Sequence, residues 1–211
     1  MNTKAGYANF DSAKAQNSVW RDLIIYASRV EDFDATDWAV YFVWVGLMLG
    51  LFGSVTSFLV GGAMAGVQYP TYVWNIPVGI FIFAVAISFD TIGHRTVYKD
   101  WLREKGEALV HHVTIFAGIT STVLLILAYH FPGFLRIPVM VLLLLSVFYS
   151  MIDEAMHWVR YATQHSDRIE MVSHFFIFLG HNIMVLAWWK WFDEGYVGVH
   201  ETALALHLPF F

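Results

Sequence analysis

Four carboxylates and four histidines in this chain fall into a pattern written twice. Asp90-x3-His94 and Glu107-x3-His111 recur 63 residues later as Asp153-x3-His157 and Glu170-x3-His174, with no gap. On a helix, a spacing of four puts each pair on one face, about one turn apart. Carboxylate oxygens and imidazole nitrogens gathered on one face are ligands for divalent metals. Eight donors exceed the needs of one ion, so the pattern implies two. The carboxylate share favours iron, with manganese or zinc next, over copper. Glu154 adds a second register, Glu154-x-x-His157. The repeat selects Asp153 as the ligand and leaves Glu154 as a catalytic carboxylate that bridges or carries protons.

A single Asp-x3-His is more simply a helix-end ion pair or a snorkelling charge. Four such pairs with identical spacing, each in or beside an apolar run, favour a metal centre instead. Haem could use the imidazoles but needs no carboxylate one turn from each. A proton path would string its groups along the membrane normal rather than gather them at one depth. His112 points about 100° from His111, which makes it a packed or outer-shell group. His181 follows His174 by seven residues on the same face, about 10 Å deeper, which suits an outer-shell or substrate role. Its repeat counterpart is Gly118. His130, His165, His200 and His207 are expected in solvent or at an interface.

These ligands need helices to position them, and the composition supplies membrane helices. The 211 residues are 58% hydrophobic and 14% charged, with a mean hydropathy of +0.56. A soluble domain carries about a quarter charged residues. Five spans fit, at roughly 38–60, 72–94, 107–130, 136–160 and 169–192, each long enough for about 30 Å of hydrocarbon. Thr36 or Asp37 can cap the first. Pro132 and Gly133 predict a tight turn, and Trp188, Trp189 and Trp191 predict an interfacial belt. Trp20, Leu23, Ile24 and Ala27 recur at helical spacing, predicting an amphipathic helix lying on the membrane surface.

The expected fold is an all-α membrane protein in which spans two to five form a duplicated hairpin and a four-helix bundle. The first span, without an ionisable residue in its interior, is an added packing helix. The expected segments are 1–36 (cytoplasmic, with the interfacial helix), 37–192 (the metal-binding bundle) and 193–211 (an external tail). With five spans, Lys4, Lys14, Arg21, Arg29, Arg95, Lys99, Arg103, Lys105, Arg160 and Arg168 share one side, against Arg136 and Lys190 on the other. The positive-inside rule then makes the N-terminus cytoplasmic and the C-terminus external or periplasmic, in a multi-pass cell membrane protein. Arg95, Arg103, Lys105, Arg160 and Arg168 also flank the carboxylates and can neutralise them. The first 35 residues lack the apolar core of a cleavable signal peptide. Cysteine is absent, which excludes disulfides and iron–sulfur sites, and a net charge of −5 without a basic patch excludes nucleic acid as a partner.

The ligand arrangement resembles that of di-iron carboxylate proteins, which use Glu and Glu-x-x-His on four helices. Its membrane setting resembles the fatty-acid desaturases and hydroxylases, although their His-x3-His and His-x2-His-His boxes are absent here. The resemblance is one of site chemistry. It implies a di-metal oxidoreductase, of monooxygenase or desaturase type, oxidising a lipophilic substrate taken from the bilayer lipids. With no flavin, nucleotide or iron–sulfur motif in the chain, electrons would come from an external reductase. Two other functions fit the same donors: a zinc-dependent membrane hydrolase, and a non-enzymatic haem or metal-binding electron-transfer subunit.

Overall fold

The computed structural model describes residues 18–98, 105–164 and 167–208, and leaves the side chains of residues 105–107 and 164 undescribed. Glu107 is therefore placed only by its backbone, and Lys4, Lys14, Lys99, Arg103, His165 and the Lys105 side chain fall outside the description. The described residues form helices α1 (Val19–Ser28), α2 (Ala35–Met64), α3 (Asn75–Arg95), α4 (Lys105–Leu127), α5 (Pro132–Gln164), α6 (Arg168–Asp193) and α7 (Val199–Ala205). Short 3-10 turns at Arg29–Asp32 and Thr71–Trp74 lead into α2 and α3. No strand occurs among the described residues. Five helices, α2 to α6, are long and apolar enough to cross a membrane.

Local chemistry sets the helix ends. The Ser18 hydroxyl accepts from the Arg21 N–H at the start of α1. Helix α2 begins three residues before the predicted span, because Asp34 is its cap. Asp34 Oδ1 accepts from the Asp37 N–H at 2.8 Å, while Asp37 Oδ2 accepts from the Asp34 N–H at 3.3 Å. This reciprocal capping box gives Asp37 a role inside the first turn rather than at the cap. Pro132 does not form the turn before α5. It is the first residue of that helix, where its missing N–H costs nothing. The chain reverses through 128–131 instead.

Helix α3 packs most extensively on α6, and α4 on α5; α2 lies along α3, α5 meets α6, and α7 returns to α2. The α3–α6 seam owes its closeness to two glycines. A Cβ on Gly180 would lie 2.7 Å from the Gly79 carbonyl oxygen and 2.7 Å from the Phe83 nitrogen. Real side chains do not fit there, so the two backbones touch. The larger apolar core, with Val73, Ile76, Ile80, Leu125, Val139, Met184 and Val185, fills one end of the molecule.

The residues after α6, expected as a tail too short to span, hold the short helix α7, which packs on α2. Helix α7 folds back so that Thr202 and the Tyr69 hydroxyl bond to each other beside Gly62. Of the predicted belt, Trp188 and Trp191 are core residues, Trp191 packed on Tyr69 and Tyr196, while Trp189 is partly exposed beside Arg136. The Trp191 indole donates to the Val197 carbonyl at 2.9 Å. Phe116, Phe148, Phe175 and Phe176 point outward.

At the opposite end, α1 lies across α3 and α6, with buried Tyr26 packed against Ile92 and Ile169. Ion pairs fasten it there: Arg29 to Asp167 at 2.9 Å and Arg168 to Asp22 at 2.6 Å. Arg95 binds Asp37 through Nε at 2.6 Å, tying α3 to the start of α2. The Asp167 N–H donates to the Tyr98 hydroxyl at 3.0 Å, joining the segments that follow α3 and precede α6.

Candidate metal centre

Just inside the end covered by α1, the inward faces of α3, α4, α5 and α6 bring six of the predicted ligands together. Asp90 and His94 come from the last turns of α3, His111 from the second turn of α4, Asp153 and His157 from the late part of α5, and His174 from the second turn of α6. Three overlapping groups have one donor atom from each member within 4.8 Å of the others. They are His94 with His157 and His174, Asp90 with His94 and His111, and His111 with Asp153 and His157. All six are buried except His111, which is partly covered.

The contacts within the cluster are short and incompletely satisfied. Asp90 Oδ1 lies 2.7 Å from His174 Nε2 and 3.4 Å from His94 Nε2. His111 Nδ1 bonds to Asp153 Oδ1 at 3.1 Å. The other oxygen of Asp153 is 3.7 Å from His174 Nδ1, and the rings of His157 and His174 stack at 3.2 Å. Yet Asp90 Oδ1, His174 Nε2, His157 Nε2 and both nitrogens of His94 have no hydrogen-bond partner. An unsatisfied buried polar atom costs about 1–3 kcal/mol, and more when charged. The 2.7 Å approach of Asp90 and His174 brings a carboxylate oxygen and an imidazole nitrogen together at a buried point that other donors also approach. Ligands about 2.1 Å from one ion stand about 3.0–3.4 Å apart, the spacing of Asp90 Oδ1 from His94 Nε2, while the Asp90–His174 pair would open by a few tenths of an ångström. Asp90 and Asp153 also bring carboxylates into a buried site, whose charge a bound cation would offset.

Glu170, predicted as a ligand, is buried but joins none of the three donor groups. Its Oε1 is 3.0 Å from Arg160 Nη1 and 3.3 Å from His157 Nδ1, and its Oε2 has no partner. Arg160 is itself buried, one turn beyond His157 on the same helix face. Its place among the flanking cations was visible in the sequence, but its burial was not. Glu154 is half-buried beside the cluster. Its Oε1 accepts from the Trp158 indole at 2.7 Å and its Oε2 has no partner.

The other histidines separate clearly. His112 is on the exposed face of α4 and turns back to the Ala108 carbonyl of its own helix. That face keeps it away from the cluster. His181 is buried among four helices: its Nε2 is 3.1 Å from Ser146 Oγ on α5, Phe83 of α3 is beside it, and Gly118 of α4 faces it. The repeat thus leaves a side-chain vacancy on α4 opposite an imidazole on α6. His130, His200 and His207 are exposed.

Sequence reasoning missed Tyr26, whose buried hydroxyl sits against Gly93, next to His94, without a hydrogen-bond partner. Burial, then Asp90, then Tyr98 and Glu170, hold this hydroxyl well above the ordinary tyrosine pKa, with Arg29 opposing. Only the amphipathic pattern of residues 20–27 hinted that one face of α1 covers something. No family model, curated protein or solved structure matches this chain.

Proposed function

We propose that this protein is a membrane-embedded di-metal oxidoreductase, with iron as the first choice of metal, that uses dioxygen to oxidise a lipophilic substrate. The observation that carries the reading is the convergence of Asp90, His94, His111, Asp153, His157 and His174 with buried donor atoms that lack hydrogen-bond partners. Two metals fit two copies of one motif. A pseudo-twofold axis relating the copies would carry α3 onto α5 and α4 onto α6. It would therefore carry the α3–α6 seam onto the α5–α4 seam, and these are the two most extensive seams in the molecule. That correspondence supports a duplicated hairpin arranged as a four-helix bundle.

Redox-active ions at such a centre would supply the binding and reduction of dioxygen. The chain's own groups do the rest. The two aspartates and four imidazoles hold the charge, and the apolar outer faces of α2 to α6 keep the site in hydrocarbon. Glu154, with one oxygen fixed by Trp158 and the other free, is suited to carrying protons in from the edge of the cluster. The lysine and arginine distribution supports a cytoplasmic site end, within reach of an external reductase.

Metal analysis with an optical spectrum of the purified full-length protein tests this reading. Close to two iron ions per chain are expected, falling steeply in His157→Ala and unchanged in His200→Ala and His207→Ala. Stoichiometric colourless zinc would favour the hydrolase instead. A Soret band, or equal metal loss from the exposed histidines, would overturn the proposed centre.

A further inference from the structure

The second half of the centre contains a charged pair that the repeat does not explain. Arg160 corresponds to Val97 in the first half, an exposed apolar residue. Burying a guanidinium among metal ligands is costly, because its charge also repels an incoming cation. Arg160 is nevertheless held, with Nη1 3.0 Å from Glu170 Oε1 and 3.5 Å from His157 Nδ1. Its position removes Glu170 from the pool of free anions without removing Glu170 from the site.

The chemistry at His157 fixes what the trio does. A neutral imidazole carries one N–H and one lone pair. Guanidinium only donates, carboxylate only accepts, and His157 Nδ1 lies 3.3 Å from the Glu170 oxygen. Nδ1 thus stands between a donor, Arg160 Nη1, and an acceptor, Glu170 Oε1, while Nε2 is buried without a partner and faces the cluster, 3.7 Å from Asp153 Oδ1. When Nε2 gives its lone pair to an ion beside His94, His111 and His174, the single ring proton must sit on Nδ1, where Glu170 is the acceptor within reach. Carboxylate–histidine–metal relays use this geometry to orient a ligand and raise its basicity.

We propose that Glu170 is a positioning residue, locked by Arg160, that presents His157 Nε2 to the metal, and is not itself a ligand. This rests on the metal-centre reading above and divides the predicted ligand set. The two halves then differ in kind: the His157 half is preset before metal arrives, and the His94 half is assembled around the ion. The first equivalent of metal enters the His157 half.

Titration of the full-length protein in detergent with Co(II), whose visible bands report ligand type and number, tests this. Wild type should bind two equivalents in two resolved steps. Glu170→Gln should keep the band positions and the final stoichiometry while weakening the first step about 10–100-fold. Arg160→Lys, which keeps a cation beside Glu170, should lie between wild type and Glu170→Gln, and covers the case in which the Gln variant does not fold. A Glu170→Gln protein that lost one equivalent, or whose bands changed, would make Glu170 a ligand and overturn the proposal. Unchanged affinity in both variants would overturn it equally. Failure of wild type to bind Co(II) would instead remove the metal-centre reading on which it rests.

Discussion

His94 and His157 hold equivalent positions in the two copies of the repeat, but their surroundings differ. His157 has a buried carboxylate and a buried guanidinium at its outer nitrogen. His94 has no hydrogen-bond partner at either nitrogen. The reverse holds one residue earlier: Gly93 admits the Tyr26 ring from α1, whereas its counterpart in the second copy is Met156, which carries a long side chain. The second half is supported from within by charge, and the first is covered from outside by a separate helix. A repeated motif thus determines which donors share a face, while residues outside the motif determine how firmly each donor is held.

The largest effect should come from the residue that joins the halves. His174 approaches both Asp90 and Asp153 and stacks on His157. His174→Ala is expected to empty the centre, with both metals lost on purification, as read by elemental analysis. Retention of one full equivalent would assign His174 to a single half.

A smaller effect should separate the repeat mates Arg160 and Val97. Arg160→Met leaves Glu170 buried without its cation and should cost about 3–5 kcal/mol of stability. Val97→Met, at a position 47% exposed, should stay within about 0.5 kcal/mol. Thermal unfolding of both variants in the same detergent makes the comparison, and equal shifts would show that the asymmetry has no energetic content.

The smallest effect concerns the cover over the first half. Tyr26 titrates well above the ordinary tyrosine value when folded, so the folded chain holds a proton that the unfolded chain releases near pH 10. The associated stability is complete below pH 10 and is lost as pH rises beyond it, by up to about 1.4 kcal/mol per pH unit. Stability measured from pH 9 to 11.5 should fall less steeply in Tyr26→Phe than in wild type. Parallel slopes would mean that the hydroxyl is not buried against Gly93.

Periodicity made the helices legible, because apolar runs longer than 20 residues leave little else to form. The spacing of four likewise anticipated that Asp90, His94, His111, Asp153, His157 and His174 would face one centre. Glu170 shares that face yet joins none of the donor groups, because spacing reports a face and not a partner, and Arg160 bonds its oxygen. His112, expected as a packed or outer-shell group, is instead exposed on the outward side of α4 and bonds its own helix, because the angle from His111 carries it past the neighbouring helices. The Gly79–Gly180 contact, the packing of Trp191 on Tyr69, and the seat of Tyr26 all join segments distant in sequence. No local pattern encodes such contacts. The cap at Asp34 was readable in principle, since Asp34 and Asp37 have capping-box spacing.

The touching backbones of Gly79 and Gly180 make the α3–α6 seam a fulcrum. With no side chain between them to compress or change rotamer, the crossing point is fixed by covalent geometry. Asp90 lies 11 residues from it along α3 and His174 six residues along α6, arms of about 16 and 9 Å at 1.5 Å per residue. A tilt of about 5° at the crossing would therefore move the two donors by about 1 Å over those arms. That displacement decides whether two atoms can share one ion. The smallest residues in the seam thus set the tolerance of a centre about two to three helical turns away, and a single added methyl at either glycine would act there as a lever.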